Sequence, residues 1–296
     1  EKYSERINFL LTGSSARKIR RGNANLLGGR AWNLKLHPLS QLEIDVALDR
    51  ALQFGLLPAV YFEKVQPKRF LESYVETYLK EEIKAEGIIR RFDSFQRFLD
   101  LAGQLHGKSA NFSKTAKLIG VTTNTIQSFF AILEDTLIAR RIDGWSYSVR
   151  QQLSKAPKYY LFDCGVVNAL NGDLSARLQQ STSRYGNLFE TFIVNELMNQ
   201  NDYLEKDFKF YHWRTYQDQE IDLILNKNIS KPPIAVEIKS ATKPDETELS
   251  AFKSFLAEYP TAEAFVLCNT ELPYKIFDGR VKVVHWQTGI QQVLES

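Results

Sequence analysis

Gln219-Glu220-Ile221-Asp222-Leu223-Ile224-Leu225 and, after a short loop, Ile234-Ala235-Val236-Glu237-Ile238-Lys239-Ser240 are the segments on which the fold turns. Apolar residues alternate with charged ones, the period-2 signature of β-strands. Ile221, Leu223 and Leu225 are expected on one face, with Asp222 and Ile224 on the other. Glu237 and Lys239 are two apart and share a side. Residues 226–233, with Asn226, Lys227, Ser230 and the Pro232-Pro233 pair, read as the connecting loop. A hairpin of this kind sets Asp222 opposite Glu237, so two carboxylates and one ammonium group enter an otherwise apolar sheet.

Charges in such a place must be compensated by one another or by an ion. Two carboxylates a few ångströms apart suit a hard divalent cation, typically Mg²⁺ with several waters retained. A lysine beside it can orient an attacking water. These are the parts of metal-assisted phosphodiester hydrolysis.

The arrangement resembles the PD-(D/E)XK nuclease superfamily, in which an Asp on one strand precedes a (Glu or Asp)-x-Lys on the next. Asp222 and Glu237-Ile238-Lys239 fit those positions, and Glu190, in the helical stretch 186–197, fits the acidic residue of the preceding helix. The proline of the motif's name is absent, since Ile221 precedes Asp222. The resemblance implies that Asp222, Glu237 and the main-chain carbonyl of Ile238 bind Mg²⁺. It also implies that Lys239 positions water and that Glu190 supports the metal or its water shell. The bland alternative makes Glu237 and Lys239 a surface pair worth under about 1 kcal/mol, and Glu220 the solvent-facing residue of an edge strand.

The chain has 296 residues, for which roughly two to three domains is the prior. Hydrophobic residues make up 44% and charged residues 25%, ordinary for a soluble globular protein. A net charge of +3 is too small to argue nucleic-acid binding. The two cysteines, Cys164 and Cys268, imply no disulfide framework, and a cytoplasmic location is expected. The four scattered histidines argue against a zinc site. No apolar run is long enough to span a membrane.

Residues 1–66 read as strand, helix, strand, helix. Strand Ile7–Thr12 runs into Gly13-Ser14-Ser15, where Ser14 or Ser15 can cap a helix. A second strand is expected over Ala31–Leu36, and a helix over Gln41–Phe54 capped by Ser40 and closed by Gly55. Together with Leu27-Gly28-Gly29-Arg30, Leu36-x-Pro38-Leu39-Ser40 and Gly55-Leu56-Leu57-Pro58, this segment resembles the C-terminal part of an AAA-type ATPase module joined to a C-terminal domain of uncharacterised function. The resemblance implies ATP as ligand of the full-length parent, with Thr12 or Ser14 sensing the γ-phosphate. Arg30 or Arg17 would be an arginine finger or sensor, and a homo-oligomer would form through the ATPase lobe. The capped strand–helix junction with solvated arginines is the plain alternative. A start on a buried-strand pattern without Met suggests a piece of a larger protein. The near match to a P-loop, Ala102–Ser109, follows a helical pattern of Phe95, Phe98, Leu99 and Ala102 rather than a strand, and reads as a decoy. The chain by itself is therefore not expected to hydrolyse ATP.

Residues 67–171 read as a helical and winged-helix unit. Aromatic spacing over 68–106 indicates core. Ser113–Ile119, a break at Gly120 and a second helix over Asn124–Thr136 give a helix-turn-helix. A hairpin Leu137–Ile142, turn Asp143-Gly144 and return over Pro157–Asp163 would be its wing. Against DNA, Thr123, Asn124 and Gln127 would open the recognition helix. Arg140, Arg141, Arg150, Lys155 and Lys158 would meet phosphates. The alternative use is as an adaptor between domains. Residues 172–296, entered through a linker over 172–184, form the expected restriction-endonuclease-like α/β domain. The whole is then expected to be a DNA-associated fragment of an ATPase-family protein with a nuclease-like C-terminal domain for metal-dependent phosphodiester hydrolysis. A non-catalytic DNA- or protein-binding regulatory module is the alternative.

Overall fold

A computed structural model describes residues 10, 32, 34–62, 66–79, 92–228 and 230–296. Its described helices are α1 (Leu48–Phe54), α2 (Pro58–Phe62), α3 (Pro67–Ser73, continued as a π-turn over Tyr74–Leu79), α4 (Phe92–Leu105), α5 (Phe112–Ile119), α6 (Thr123–Asp135), α7 (Val149–Ser154), α8 (Cys164–Asn171), α9 (Ser183–Tyr203), α10 (Ala251–Glu258) and α11 (Trp286–Glu295). The strands are β1 (Ala139–Gly144), β2 (Lys158–Leu161), β3 (Lys209–Arg214), β4 (Glu220–Asn226), β5 (Ile234–Ile238), β6 (Glu263–Cys268), β7 (Tyr274–Ile276) and β8 (Val281–His285). They form one mixed eight-stranded sheet in the order β2-β1-β3-β4-β5-β6-β8-β7. The protein is therefore a mixed α/β fold.

Each face of the sheet is covered. Under α9 and α11 lie Leu223, Leu225, Val236, Ile238 and Leu267, packed with Phe189, Phe192 and Ile290. Under α10 lie Ile221, Ile224, Ala235 and Val266, packed with Phe252 and Phe255. Gly289 allows α11 to lie flat, because a Cβ there would come within 2.4 Å of Leu267 and 2.6 Å of Val284. The first core continues into the helices α4 and α6. There Phe95, Phe98, Phe129 and Phe130 pack edge-on and tilted with centroids 4.9–5.7 Å apart, the geometry aromatic pairs favour.

Several expected elements come out differently. The helix expected over Gln41–Phe54 exists only as Leu48–Phe54. Residues 41–44 form a turn in which Leu42 N–H donates to Ser40 Oγ (3.1 Å) and Ser40 N–H to Glu43 Oε2 (3.1 Å). These side chains compete locally with helical bonds. Of the strand expected over Ala31–Leu36, the described residues Trp32 and 34–36 belong to no strand, and its remaining residues lie outside the described ones. Of the strand expected over Ile7–Thr12, the described residue Leu10 is exposed and belongs to no strand, and the remaining residues and the junction after it lie outside the described ones. The helix-turn-helix pair is present as α5 and α6. Asn111 and Thr122 are the N-caps, and Gly120, at φ +80°, closes α5.

The expected wing differs most. Asp143 and Gly144 make no turn, because β1 continues through them and pairs in parallel with Tyr211 and His212 of β3. Helix α7 intervenes before β2 returns antiparallel to β1. Trp145 is buried against Tyr211 and Tyr259, which holds this end of β1 to the main sheet. Strands from before residue 172 and after it thus share one sheet.

The segment before α2 is tied to α8 by a buried carboxylate. Asp163 Oδ2 accepts from Leu56 N–H (2.7 Å), and Oδ1 from Val166 N–H (3.1 Å). Burial pushes this carboxyl up to about 6, against the pull of those N–H donors. Gly55, at φ +75°, permits the close approach, since a Cβ there would lie 2.0 Å from Asp163 Oδ1. Asp163→Ala orphans buried N–H groups and is expected to lower stability by about 1–3 kcal/mol. Urea unfolding reads the change, and an unchanged midpoint would contradict this role.

Candidate functional site at the end of the β4–β5 ladder

The β4–β5 ladder pairs Leu223 with Val236, Ile224 with Ala235 and Leu225 with Ile234, and its named pairs stop there. Against β3, the register of β4 shifts between Tyr211 and Trp213, which face Ile224 and Ile221. Two steps on β3 thus match three on β4, a bulge. Ile221 and Ile224 consequently enter the core under α10, while Leu223 and Leu225 enter the core under α9. The expected alternation, with Ile221 and Leu223 together, is corrected accordingly. The extra residue turns Asp222 to the α9 side.

Glu237 pairs in register with Val266 of β6, which belongs to the core under α10. The expectation that Asp222 and Glu237 share a face is therefore also corrected. They meet instead across the end of the ladder. Asp222 Oδ2 accepts from Ile238 N–H at 2.8 Å, and Glu237 Oε2 from Asp222 N–H at 3.4 Å. Lys239 Nζ lies 3.0 Å from Glu237 Oε1.

On the α9 side stands a second set. Glu190 accepts from the Tyr160 hydroxyl, and its Oε1 lies 4.0 Å from Lys158 Nζ. Lys158 also forms an ion pair with Glu220, whose other oxygen lies 3.6 Å from Arg214 Nη1. The Lys158 side chain is 5% exposed. Asp222 is the centre of the field, acting electrostatically on Glu190, Glu237, Lys158 and Lys239.

The carboxylates outnumber their counter-charges. Burial, and then the charge of Asp222, push Glu237 up to about 8 and Glu190 up to about 7. Burial also raises Asp222, although Lys158 and Lys239 pull it back. Burial alone would lower both lysines. For Lys239, Glu237 and Asp222 outweigh it; for Lys158, Glu190, Asp222 and Glu220 do, so both ammonium groups are held above their ordinary range. Lys239 is accordingly held as the charged ammonium.

Glu190, Asp222, Glu237 and Lys239 are thus brought to one end of β4 and β5, with Glu190 and Glu237 on opposite sides of Asp222. Lys158, Tyr160 and Glu220 complete the cluster. Sequence reasoning gave Lys158 to the wing and missed its role. The available signal was a lysine opening Lys158–Leu161, a strand buried at every position.

The residues expected to meet DNA divide. Asn124 and Gln127 are exposed on the first turns of α6, and Thr123 is half-buried. Arg140 is turned inward: its Nη2 bonds to His37 Nδ1 (2.9 Å) and to Asn199 Oδ1, so it is not a phosphate contact in this fold. Arg141 is exposed but paired with Asp143 at 2.8 Å. Arg150 is exposed, and Lys155 donates to the Trp145 carbonyl (2.7 Å). Thr12, Ser14, Arg17 and Arg30 lie outside the described residues. The P-loop-like stretch begins inside α4, which runs to Leu105. Among the described residues, no helix is long and apolar enough to cross a membrane.

Comparison with known proteins places two matched regions on this chain. Residues 46–178 match a domain of unknown function (DUF8612), and residues 185–288 match another domain of unknown function (DUF4143). The chain is 23% identical over 278 residues to the uncharacterized protein Mb2031c of Mycobacterium bovis, and equally to the uncharacterized protein Rv2008c of Mycobacterium tuberculosis. Each alignment covers 93% of this chain and 61% of the relative, so the chain spans about three-fifths of the length of these curated relatives. No solved structure matches it. The two matched regions meet at the candidate site, because Lys158 and Tyr160 come from the first and Glu190, Glu220, Asp222, Glu237 and Lys239 from the second.

Proposed function

We propose that the end of the β4–β5 ladder is a nuclease-like site for divalent-cation-dependent phosphodiester hydrolysis, carried by a chain of a DNA-associated ATPase that bears the α5–α6 helix pair. The observation that supports it is the interlock of two carboxylates on adjacent strands, Glu237 on the Asp222 main-chain N–H and Asp222 on the Ile238 N–H, with Lys239 3.0 Å from Glu237. The donors suit Mg²⁺, being hard carboxylate oxygens carrying excess negative charge. Two carboxylates suffice where waters and substrate phosphate complete the shell. Asp222, Glu237 and the Ile238 carbonyl would hold the cation, and Glu190 would support its water shell. When bound, the cation supplies Lewis-acid polarisation of the phosphoryl oxygen. Lys239 holds water in line by charge and hydrogen bonding. Glu190, with its carboxyl near neutrality, can take up or release a proton beside that water. ATP handling through Thr12, Ser14 and Arg30 belongs to the whole protein in this reading. DNA contact falls to Asn124 and Gln127 on α6.

The test is cleavage of single- and double-stranded DNA and RNA with Mg²⁺ or Mn²⁺, alongside calorimetry of the cation. No cleavage of any of them would falsify the hydrolytic reading. The raised carboxyls add a pH signature. An acid whose pKa is raised on folding contributes stability that is present below its unfolded value and lost as pH climbs through the folded one. For Glu190 and Glu237 that window runs from 4.5 to about 7 and about 8. A cation displaces the same protons, so its affinity is expected to climb between about pH 6 and about pH 9 with protons released on binding. A flat profile would contradict that coupling.

A second reading rests on one observation. Among the described residues, no three His, Cys, Asp or Glu side chains group so as to hold a metal. The cluster is then an ion-pair network whose excess negative charge is met by protons on its raised carboxyls, and the chain a DNA- or protein-binding regulatory module of an ATPase. Intact DNA binding without divalent-cation binding decides for it.

A further inference from the structure

We infer that Lys158 is a tethered cation filling a second cation position of the site, between Glu190 and Glu220 and beside the charge of Asp222. The inference takes from the proposed function that these carboxylates can hold a divalent cation. Three facts support it. Glu190, Glu220 and Asp222 lie on the α9 side, and the only buried ammonium among the described residues there is that of Lys158. Its side chain is 5% exposed against 22% for Glu190 and 27% for Glu220, so the ammonium, sealed from water, has these carboxylates for its compensation. It approaches Glu190 and Glu220 directly and acts on Asp222 through space. An ammonium in that position occupies the space and offsets the charge that a second divalent ion would need. On the far side of Asp222, Glu237 is paired with Lys239, whose side chain is 28% exposed, so this position opens to solvent where that of Lys158 does not. The site is thus built for one exchangeable cation, its second being part of the chain.

This makes the first matched region a contributor to the chemistry of the second. Lys158 lies on β2, paired with β1, whereas the carboxylates lie on α9 and β4. Whatever shifts β2 relative to α9 would open the second position.

The experiment is Mn²⁺ titration by calorimetry on wild type and Lys158→Met of the full chain. The expected result is one more Mn²⁺ bound by the variant than by wild type, lost again in Lys158→Met/Glu190→Gln. Equal stoichiometry in wild type and Lys158→Met overturns the inference. The wild-type number reads on the proposed function separately: wild type binding none counts against that reading, whatever the variant does. Where the variant does not fold alone, Mn²⁺ is expected to restore its circular dichroism and cooperative melting. A variant that stays unfolded at every Mn²⁺ concentration, while wild type folds without it, overturns the inference as well.

Discussion

Asp222→Asn is expected to lose cation-dependent cleavage by about a thousandfold or more while remaining folded. The magnitude follows from removing a charge that several interactions share. A loss of three decades corresponds to about 4 kcal/mol of transition-state stabilisation. The amide oxygen still accepts the Ile238 N–H, whose bond to Asp222 Oδ2 is 2.8 Å long. The change also relieves repulsion on Glu237 and Glu190, both of which Asp222 raises. Thermal stability near neutral pH should therefore hold or rise, the usual relation between a strained site and stability. Asp222→Ala removes that acceptor too, and should add a stability loss of about 1–3 kcal/mol to the same loss of cleavage. Undiminished cleavage by Asp222→Asn would remove Asp222 from the chemistry.

The largest stability effect is expected at Lys158. Without a divalent cation, Lys158→Met leaves Glu190 and Glu220 short of their buried partner, a change worth about 3–5 kcal/mol. Methionine keeps most of the volume, so the loss reports charge rather than a cavity. Two features distinguish this from a packing defect. The deficit should shrink as pH falls, because the carboxyls neutralise themselves by taking up protons. Glu220→Gln in the same chain should recover part of it, as a double-mutant cycle measures. A deficit independent of pH, with no recovery, would assign Lys158 a packing role only.

Local patterns were enough to find most strands and helices. The alternation in Glu220–Asn226 and Ile234–Ile238, with the aromatic-rich run Lys209–Arg214 before them, marks three adjacent strands of the sheet. The helix over Ser183–Tyr203 and the pair over Phe112–Ile119 and Thr123–Asp135 follow from apolar spacing, caps and a glycine stop. The turn over 41–44 did not, because Ser40 and Glu43 satisfy backbone groups that a helix would otherwise pair. Strand Tyr274–Ile276 has three residues, too few for periodicity to register.

The sequence by itself determined which residue types sit at the ends of β4 and β5. Asp222, Glu237 and Lys239 interrupt apolar runs, and those interruptions are visible without coordinates. Only tertiary structure decided how they meet. One bulge in β4 reverses the face of Asp222, a shift no alternation rule can supply because it depends on the register with β3. The strand taken for a wing joined that same sheet through Gly144 and His212, which carried Lys158 into the carboxylates. Burial then set the charge states, since a carboxyl's pKa depends on the water and charges around it, and those are fixed by folding rather than by neighbours in the chain.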